Sequence, residues 1–532
     1  MKRTFTILLA TLMLFTCLSA CSKAAPETGA QTEETPTVEP SSKPKELKIA
    51  AGRSFFQGPT TAVYLHGSTN VWQSLTVPDE NMDAKMLLAE AMTQSEDGLT
   101  WTIKLREGVK FHDGTDLNSE AAIANLDRLY HWSSGAKSYD AEYEKTGEYG
   151  KIVDMSAVDA LSFTVTHEEP IPDFPLRLGY ENSAMFALAS FDEAKAIAFP
   201  YGTGPYKYVS YDETTQLMSL DRFSDYWQGE PKLDKISFQN IADASTRLAA
   251  LQSGEIDVIS DVGGILPQQA SVVLSDDSLV MKQRLVSTVH YYFMNTNEGK
   301  LFGNADMRRA LSLSIDRDTI VKNLLLGYGE AAKSVVSSAN ASWVRDCGYS
   351  FDPAQAKELK EKALGKDEVS CVILLNSSML GRWPYQDVAV MIQAQLKEIG
   401  IKAEIETVDA ASWSERLKEG SYDIAPQPFT VSAGEPNYFF VRNVQSGGTN
   451  NSSRSYGIND STLDELIAKA ATERDNTVRG GYYNEIQEII KDNEYVIPVW
   501  YDVTIYATNK KVQNFNLDVT FCPDLFEVDV VQ

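Results

Sequence analysis

Residues 369–408 constrain this fold more than any other stretch of the chain. Residues 369–375 form a short, nearly unbroken apolar run through Val372, Ile373 and Leu374, the pattern of a strand covered on both faces. Residues 387–400 then carry apolar side chains at helical spacing and end on Gly400, a residue suited to the left-handed turn that closes a helix. Residues 401–408 read as a second strand. Two strands joined by a helix run parallel, because a parallel pair needs a crossover connection. Parallel α/β sheet is therefore expected, not a sandwich or a helical bundle.

The rest of the chain alternates in the same manner. Strands are expected at 47–51, 100–105, 159–166 and 254–259, and a strand-rich segment at 495–506 around Pro498. In residues 100–105, Trp101, Ile103 and Leu105 share one face and Thr100, Thr102 and Lys104 the other. Helices are expected at 83–92, 242–253, 305–315, 317–326, 354–363, 460–473 and 478–492, with another capped by Asn118 or Ser119. Gly98, Gly108, Gly114, Gly202 and Gly204 are expected to supply turns of unusual φ.

The N-terminus reads differently. Lys2 and Arg3 precede a mostly apolar stretch at residues 4–15, the length of a signal-peptide core and too short to span a bilayer. Leu18-Ser19-Ala20-Cys21 follows. This quartet resembles a bacterial lipobox, which implies that residues 1–20 are removed and that Cys21 carries lipid. Residues 21–45 hold no aromatic side chain and are rich in Pro, Thr, Glu and Ser. Such a segment buries too little surface to fold, and it is expected to act as a tether. No later stretch is long and apolar enough for a membrane span.

Charge and motif content exclude several function classes. The net charge of −26 argues against nucleic acid, which requires a basic footprint. Beyond Cys17 and Cys21, only Cys347, Cys371 and Cys522 remain, without a CxxC pair. That is no disulfide scaffold; buried thiols with at most one bridge are expected. The chain lacks GxSxG and HExxH, and Gly147-Glu148-Tyr149-Gly150-Lys151 lacks Walker spacing. An enzyme, a resident cofactor and a protein-only metal site are not expected.

Six blocks carry a resemblance. Residues 97–115 read DGLTWTIKLREGVKFHDGT, 201–206 YGTGPY, 226–236 YWQGEPKLDKI, 251–257 LQSGEID, 307–317 MRRALSLSIDR and 351–357 FDPAQAK. In this order they resemble the family 5 solute-binding proteins of peptide and nickel ABC importers. The resemblance implies a periplasmic-binding-protein-like type II α/β fold with two lobes closing on a ligand. Lobe I would comprise residues 46–285, with an extra subdomain at about 74–200. Lobe II would comprise 286–504, and 505–532 would return to lobe I.

The same resemblance implies a monomer held at the outer face of the cytoplasmic membrane by lipid alone. It would deliver an oligopeptide, a dipeptide or a nickel or other metal chelate to a permease. A ligand sensor or pheromone-receptor partner built on the same fold is the alternative. Peptide binders of the family hold the ligand ammonium with an Asp where this chain has Ser432, three residues before Glu435-Pro436. Residues expected near the cleft are Tyr64, His66, His290, Tyr291, Tyr292, Arg382, Trp383, Tyr385, Ser432, Glu435, Trp500 and Tyr501. Aromatic walls with a few charged tips suit a small-ligand pocket.

Overall fold

Two long strands organise the protein. In the computed structural model, which describes residues 44–431 and 434–531, Leu279–Met294 and Val496–Asn509 run antiparallel as a ribbon. Their register slips between Leu285 and Val289. Each side of the slip serves different neighbours. On one side Thr508 and Ala507 pair with Val258–Ile259, which pairs in parallel with Glu46–Ala51. That strand pairs in parallel with Lys235–Asn240, and an antiparallel hairpin of Tyr206–Asp212 and Leu217–Arg222 ends the row. On the other side, residues from Thr288 to Met294 pair with Ile424–Thr430. Val369–Asn376 and Ile401–Val408 follow in parallel.

At the slip the ribbon leaves Ser287 free of its partner strand. Its N–H donates instead to Val519 O at 2.9 Å. The C-terminal segment lies against the first half of the molecule as well: Lys45 pairs with Asp529 at 2.7 Å, and Tyr206 donates to Leu525 O.

The expected strand–helix–strand unit is present. Tyr385–Glu398 crosses between the parallel strands, burying Val388, Ile392 and Leu396. Gly400 follows it at φ +79. Asn118 caps Ser119–Tyr130 by accepting from Ala121 N, and Asp352 caps Pro353–Leu364.

The structure corrects three local expectations. Residues 83–92 are not helical: Ala84–Met86 and Ala89–Gln94 are strands. Ala89–Gln94 forms the edge of a separate four-stranded sheet beside Thr100–Leu105, with Ser162–His167 and Ile152–Ala157 beyond. Hairpin pairing with the next strand outweighs the helical bias of its alanines. Residues 317–326 break into a single turn, Arg317–Thr319, and a wider π-turn, Ile320–Leu324. There Leu325 N reaches back five residues to Ile320 O. Gly202 and Gly204 have no left-handed φ. They are required by close backbone approach: a Cβ at either position would lie 2.1 or 1.9 Å from the carbonyl oxygens of Val71 and Asn70. Gly98, Gly108 and Gly114 do have positive φ.

Cys347, Cys371 and Cys522 are all free thiols. Among the described residues no helix is long and apolar enough to cross a membrane. Residues 1–43, with Cys21 and the leader, lie outside the described residues, as does Ser432.

Candidate functional site

Polar and aromatic side chains gather in three groups, of which the first two are joined. The first surrounds His290, fully buried on the strand past the slip. Trp500 on the partner strand stacks on its ring at 4.0 Å, with 10° between planes. Its Nε2 lies 3.0 Å from Asp502 Oδ2 and its Nδ1 lies 2.7 Å from the Tyr385 hydroxyl. Trp383 Nε1 donates to the same Asp502 oxygen at 2.7 Å, and Thr504 donates to the other at 3.1 Å. Burial holds His290 below the ordinary imidazole value, with Asp502 pulling the opposite way. The neutral ring donates to Asp502 from Nε2 and accepts from Tyr385 at Nδ1, which satisfies every partner.

The second group centres on Asp261. Arg53 donates to both its oxygens, at 2.8 and 3.0 Å. Arg382 Nη2 lies 3.3 Å from Asp261, and its guanidinium sits 4.3 Å over the Trp383 ring. Arg382 thus joins the first two groups. The loop that carries it packs tightly: a Cβ at Gly263 would lie 2.3 Å from Arg382 O. Arg53 also donates to His66 Nε2 at 3.0 Å, and the Tyr180 hydroxyl lies 2.8 Å from the same nitrogen. Phe55 stacks on His66. Burial, and then the charge of Arg53, hold His66 well below its ordinary value. Burial draws Arg382 down to about 10, which leaves it protonated at neutral pH.

The backbone around this group is strained. Tyr180, Asp261 and Phe521 have φ of +51, +138 and +59. Each such non-glycine conformation costs about 1–3 kcal/mol and persists only where the surroundings impose it, as functional sites often do.

The third group centres on Glu435. Arg479 donates to it at 3.1 and 2.8 Å, and the Tyr483 hydroxyl at 2.6 Å. Burial, and next the charge of Asp173, push Glu435 above its ordinary value. Asp173 pairs with Arg177 at 2.8 Å. Arg177 Nη2 is buried without a partner. Close by, Arg442 reaches Glu148 at 3.3 Å.

The structure brings His66, His290, Arg382, Trp383, Tyr385 and Trp500 into the first two groups, with Glu435 in the third. Tyr64 packs edge-on to Phe56 and Tyr208, outside these groups. Tyr291 and Tyr501 are interior side chains. The Tyr291 hydroxyl donates to Val335 O, and the Tyr501 hydroxyl accepts from Lys333 N and Ser334 N. Tyr292 is fully buried, with a hydroxyl lacking any partner. Sequence reasoning missed Arg53, Asp173, Arg177, Tyr180, Asp261, Arg479 and Asp502. Asp261 had a usable signal in the adjacent Gly263-Gly264, and Asp502 in the adjacent Trp500-Tyr501.

A cavity of about 440 Å³ lies beside Tyr180, walled by Trp72, Tyr226, Asp518, Cys522 and Asp524. This is within the size range of small-molecule sites. Among the described residues no cluster of His, Cys, Asp or Glu could hold a metal ion.

Residues 83–451 match the family described as "Bacterial extracellular solute-binding proteins, family 5 Middle". The chain belongs to this family. The family 5 chain is 29% identical over 520 residues to the glutathione-binding protein GsiB of Escherichia coli O1:K1 / APEC, covering 95% of this chain and 94% of that one. Its fold is similar to that of a dipeptide-binding protein from Pseudoalteromonas sp. SM9913 solved with Met-Leu, at TM-score 0.79 and 21% identity over 92% of this chain and 100% of that one. NikA from Staphylococcus aureus, solved with Ni(L-His)2, is similar at TM-score 0.77 and 22% identity, with 92% of this chain and 100% of that one covered. The family 5 fold is therefore the two-lobed, type II α/β arrangement. Its members are extracytoplasmic solute-binding proteins that work with ABC importers, a family of binding and transport rather than catalysis.

Proposed function

We propose that this chain is a lipid-anchored substrate-binding protein that closes its lobes on a short peptide and delivers it to an ABC permease. One observation carries the peptide reading. The likeness to glutathione-binding proteins extends over 95% of this chain at 29% identity. The proposed lobes are residues 46–285 with the return at 505–532, and residues 286–504, with an extra subdomain at about 74–200 in the first. The register slip between Leu285 and Val289 supports a hinge at this boundary. His66, His290, Arg382, Trp383, Tyr385 and Trp500 would form the aromatic and cationic wall at the hinge, and Glu435 would face it from the second lobe. Leu18-Ser19-Ala20-Cys21 supports an anchor at Cys21, and with it a place on the outer face of the cytoplasmic membrane.

Thermal unfolding of the mature chain tests this. The ligands are Met-Leu, reduced glutathione, longer peptides, nickel with L-histidine, and an oligosaccharide. A peptide at a hundred times its dissociation constant stabilises the folded protein by about 2.7 kcal/mol, and the rise in Tm should survive a chelator. A rise with nickel and histidine alone would overturn the peptide reading in favour of a metal chelate.

A further inference from the structure

The extra subdomain and the second lobe proposed above meet along a seam of small, separate contacts. Gly434, at φ +77, lies so close to the 76–86 hairpin that a Cβ there would stand 2.1 Å from Met82 O. Arg442 reaches Glu148 at 3.3 Å. At an exposed point of the seam, Arg474 donates to Glu96 O at 2.6 Å and to Ser95 O at 3.4 Å. Arg474 lies 378 and 379 residues along the chain from these two partners.

Both sides of the Arg474 contact are held in shape by their own bonds. Ser95 and Glu96 belong to the turn between Ala89–Gln94 and Thr100–Leu105. Ser95 N donates to Thr100 O and Gly98 N to Ser95 O, each at 2.9 Å. Asp97 accepts from the Ser95 hydroxyl at 2.6 Å and from Leu99 N at 3.0 Å. Among the described residues, Glu96 O accepts from Arg474 alone. Opposite, Arg474 sits in the short connection between Ser461–Thr472 and Asn476–Asn493. That connection is pinned by Asp475 N donating to the Glu473 carboxylate at 2.8 Å and by Arg479 donating to Glu473 O at 2.7 Å. The stem of Arg474 runs along Gly98, where a Cβ would lie 3.1 Å from Arg474 Cδ. A guanidinium carries its donors in a fixed fork, and a hydrogen bond with one charged member is stronger than a neutral one. Two neighbouring carbonyls held by a rigid turn are a fitting receptor for it, with no carboxylate needed.

We propose that Arg474 is a latch, made only when the lobes close, that fastens the second lobe to the extra subdomain and sets how firmly the protein stays shut. This rests on the closing lobes of the reading above and not on the identity of the ligand. A contact present only in the closed state adds to the affinity of every ligand that closes the lobes, and by the same factor. Calorimetric titration of the wild type and Arg474→Ala with Met-Leu and with reduced glutathione tests it. Loss of hydrogen bonds from a charged group should weaken both ligands equally, by about tenfold. X-ray scattering at one subsaturating ligand concentration should give the variant the larger radius of gyration, returning to the wild-type value at about ten times more ligand. Glu96→Ala keeps both acceptor carbonyls and should bind as the wild type does. Unchanged affinity in Arg474→Ala, a loss confined to one ligand, or an equal loss in Glu96→Ala would overturn the latch. If the wild type binds neither peptide but binds nickel with L-histidine, the peptide reading fails, and the latch predicts the same loss, about tenfold, with that chelate.

Discussion

Asp261 and Glu435 are both buried carboxylates bonded to arginine, yet they carry their charge in opposite ways. Burial pushes Asp261 up, but Arg53 and Arg382 together outweigh it and hold the group below its ordinary value. Glu435 has a two-point bond to Arg479 and a bond from Tyr483. It nevertheless stays above its ordinary value, because burial is reinforced by Asp173. Hydrogen-bond count therefore does not decide how a buried acid behaves; the balance of the next nearest charges does. Two arginines converge on the single carboxylate of Asp261, whereas the Glu435 region sets two buried carboxylates against one arginine each and leaves a nitrogen of Arg177 without a partner.

The largest effect should come from removing an arginine where two carboxylates lie close together. Arg479→Ala leaves Glu435 buried beside Asp173 with only Tyr483 to hold it. It should cost about 3–5 kcal/mol, read by urea unfolding. In the His290 group, Asp502→Ala strips the acceptor from His290, Trp383 and Thr504 together. It should cost about 2–3 kcal/mol through unsatisfied buried donors, with a change in tryptophan fluorescence as Trp383 is released.

A pH series sharpens the contrast. A carboxyl held below its unfolded value stabilises the fold above that value, about 3.9 for Asp, and the gain is lost as pH falls through the folded value. Asp261 is of this kind. A carboxyl held above its unfolded value, about 4.3 for Glu, does the reverse: its contribution is greatest at low pH and is lost as pH rises through the folded value. Glu435 is of this kind. Between about pH 3 and 7, the stability advantage of the wild type over Asp261→Asn should therefore grow, and its advantage over Glu435→Gln should shrink. Parallel slopes would show that the two regions are electrostatically alike. The smallest effect is expected at the partly exposed Glu148–Arg442 pair, where Glu148→Gln should cost under about 1 kcal/mol.

How much of this was legible in the sequence depends on distance along the chain. The strand–helix–strand unit at 369–408 and the strand at 100–105 are local patterns, and they appear as read. Residues 83–92 are a local failure: the alanines favour helix, while the hairpin with Thr100–Leu105 makes Ala89–Gln94 a strand. His290, Trp383, Tyr385 and Trp500 stood out as aromatics beside expected strands. Their acidic partner Asp502 was passed over as one of 74 acidic residues, although the adjacent Trp500-Tyr501 marked its place. Arg53 and Asp261 are 208 residues apart, and no local pattern records such a pairing. The lipid-anchor motif lies beyond the described residues, so its reading rests on the sequence alone.

The bond from Ser287 to Val519 has a practical consequence. It stitches the tail of the polypeptide to the middle of the ribbon. A deletion reaching back past Val519 takes away the acceptor for a main-chain amide at the slip, together with the Phe521 ring that stacks on His66. Engineering of this protein, whether for immobilisation or as a ligand reporter, therefore has to leave the segment from Val519 onward in place.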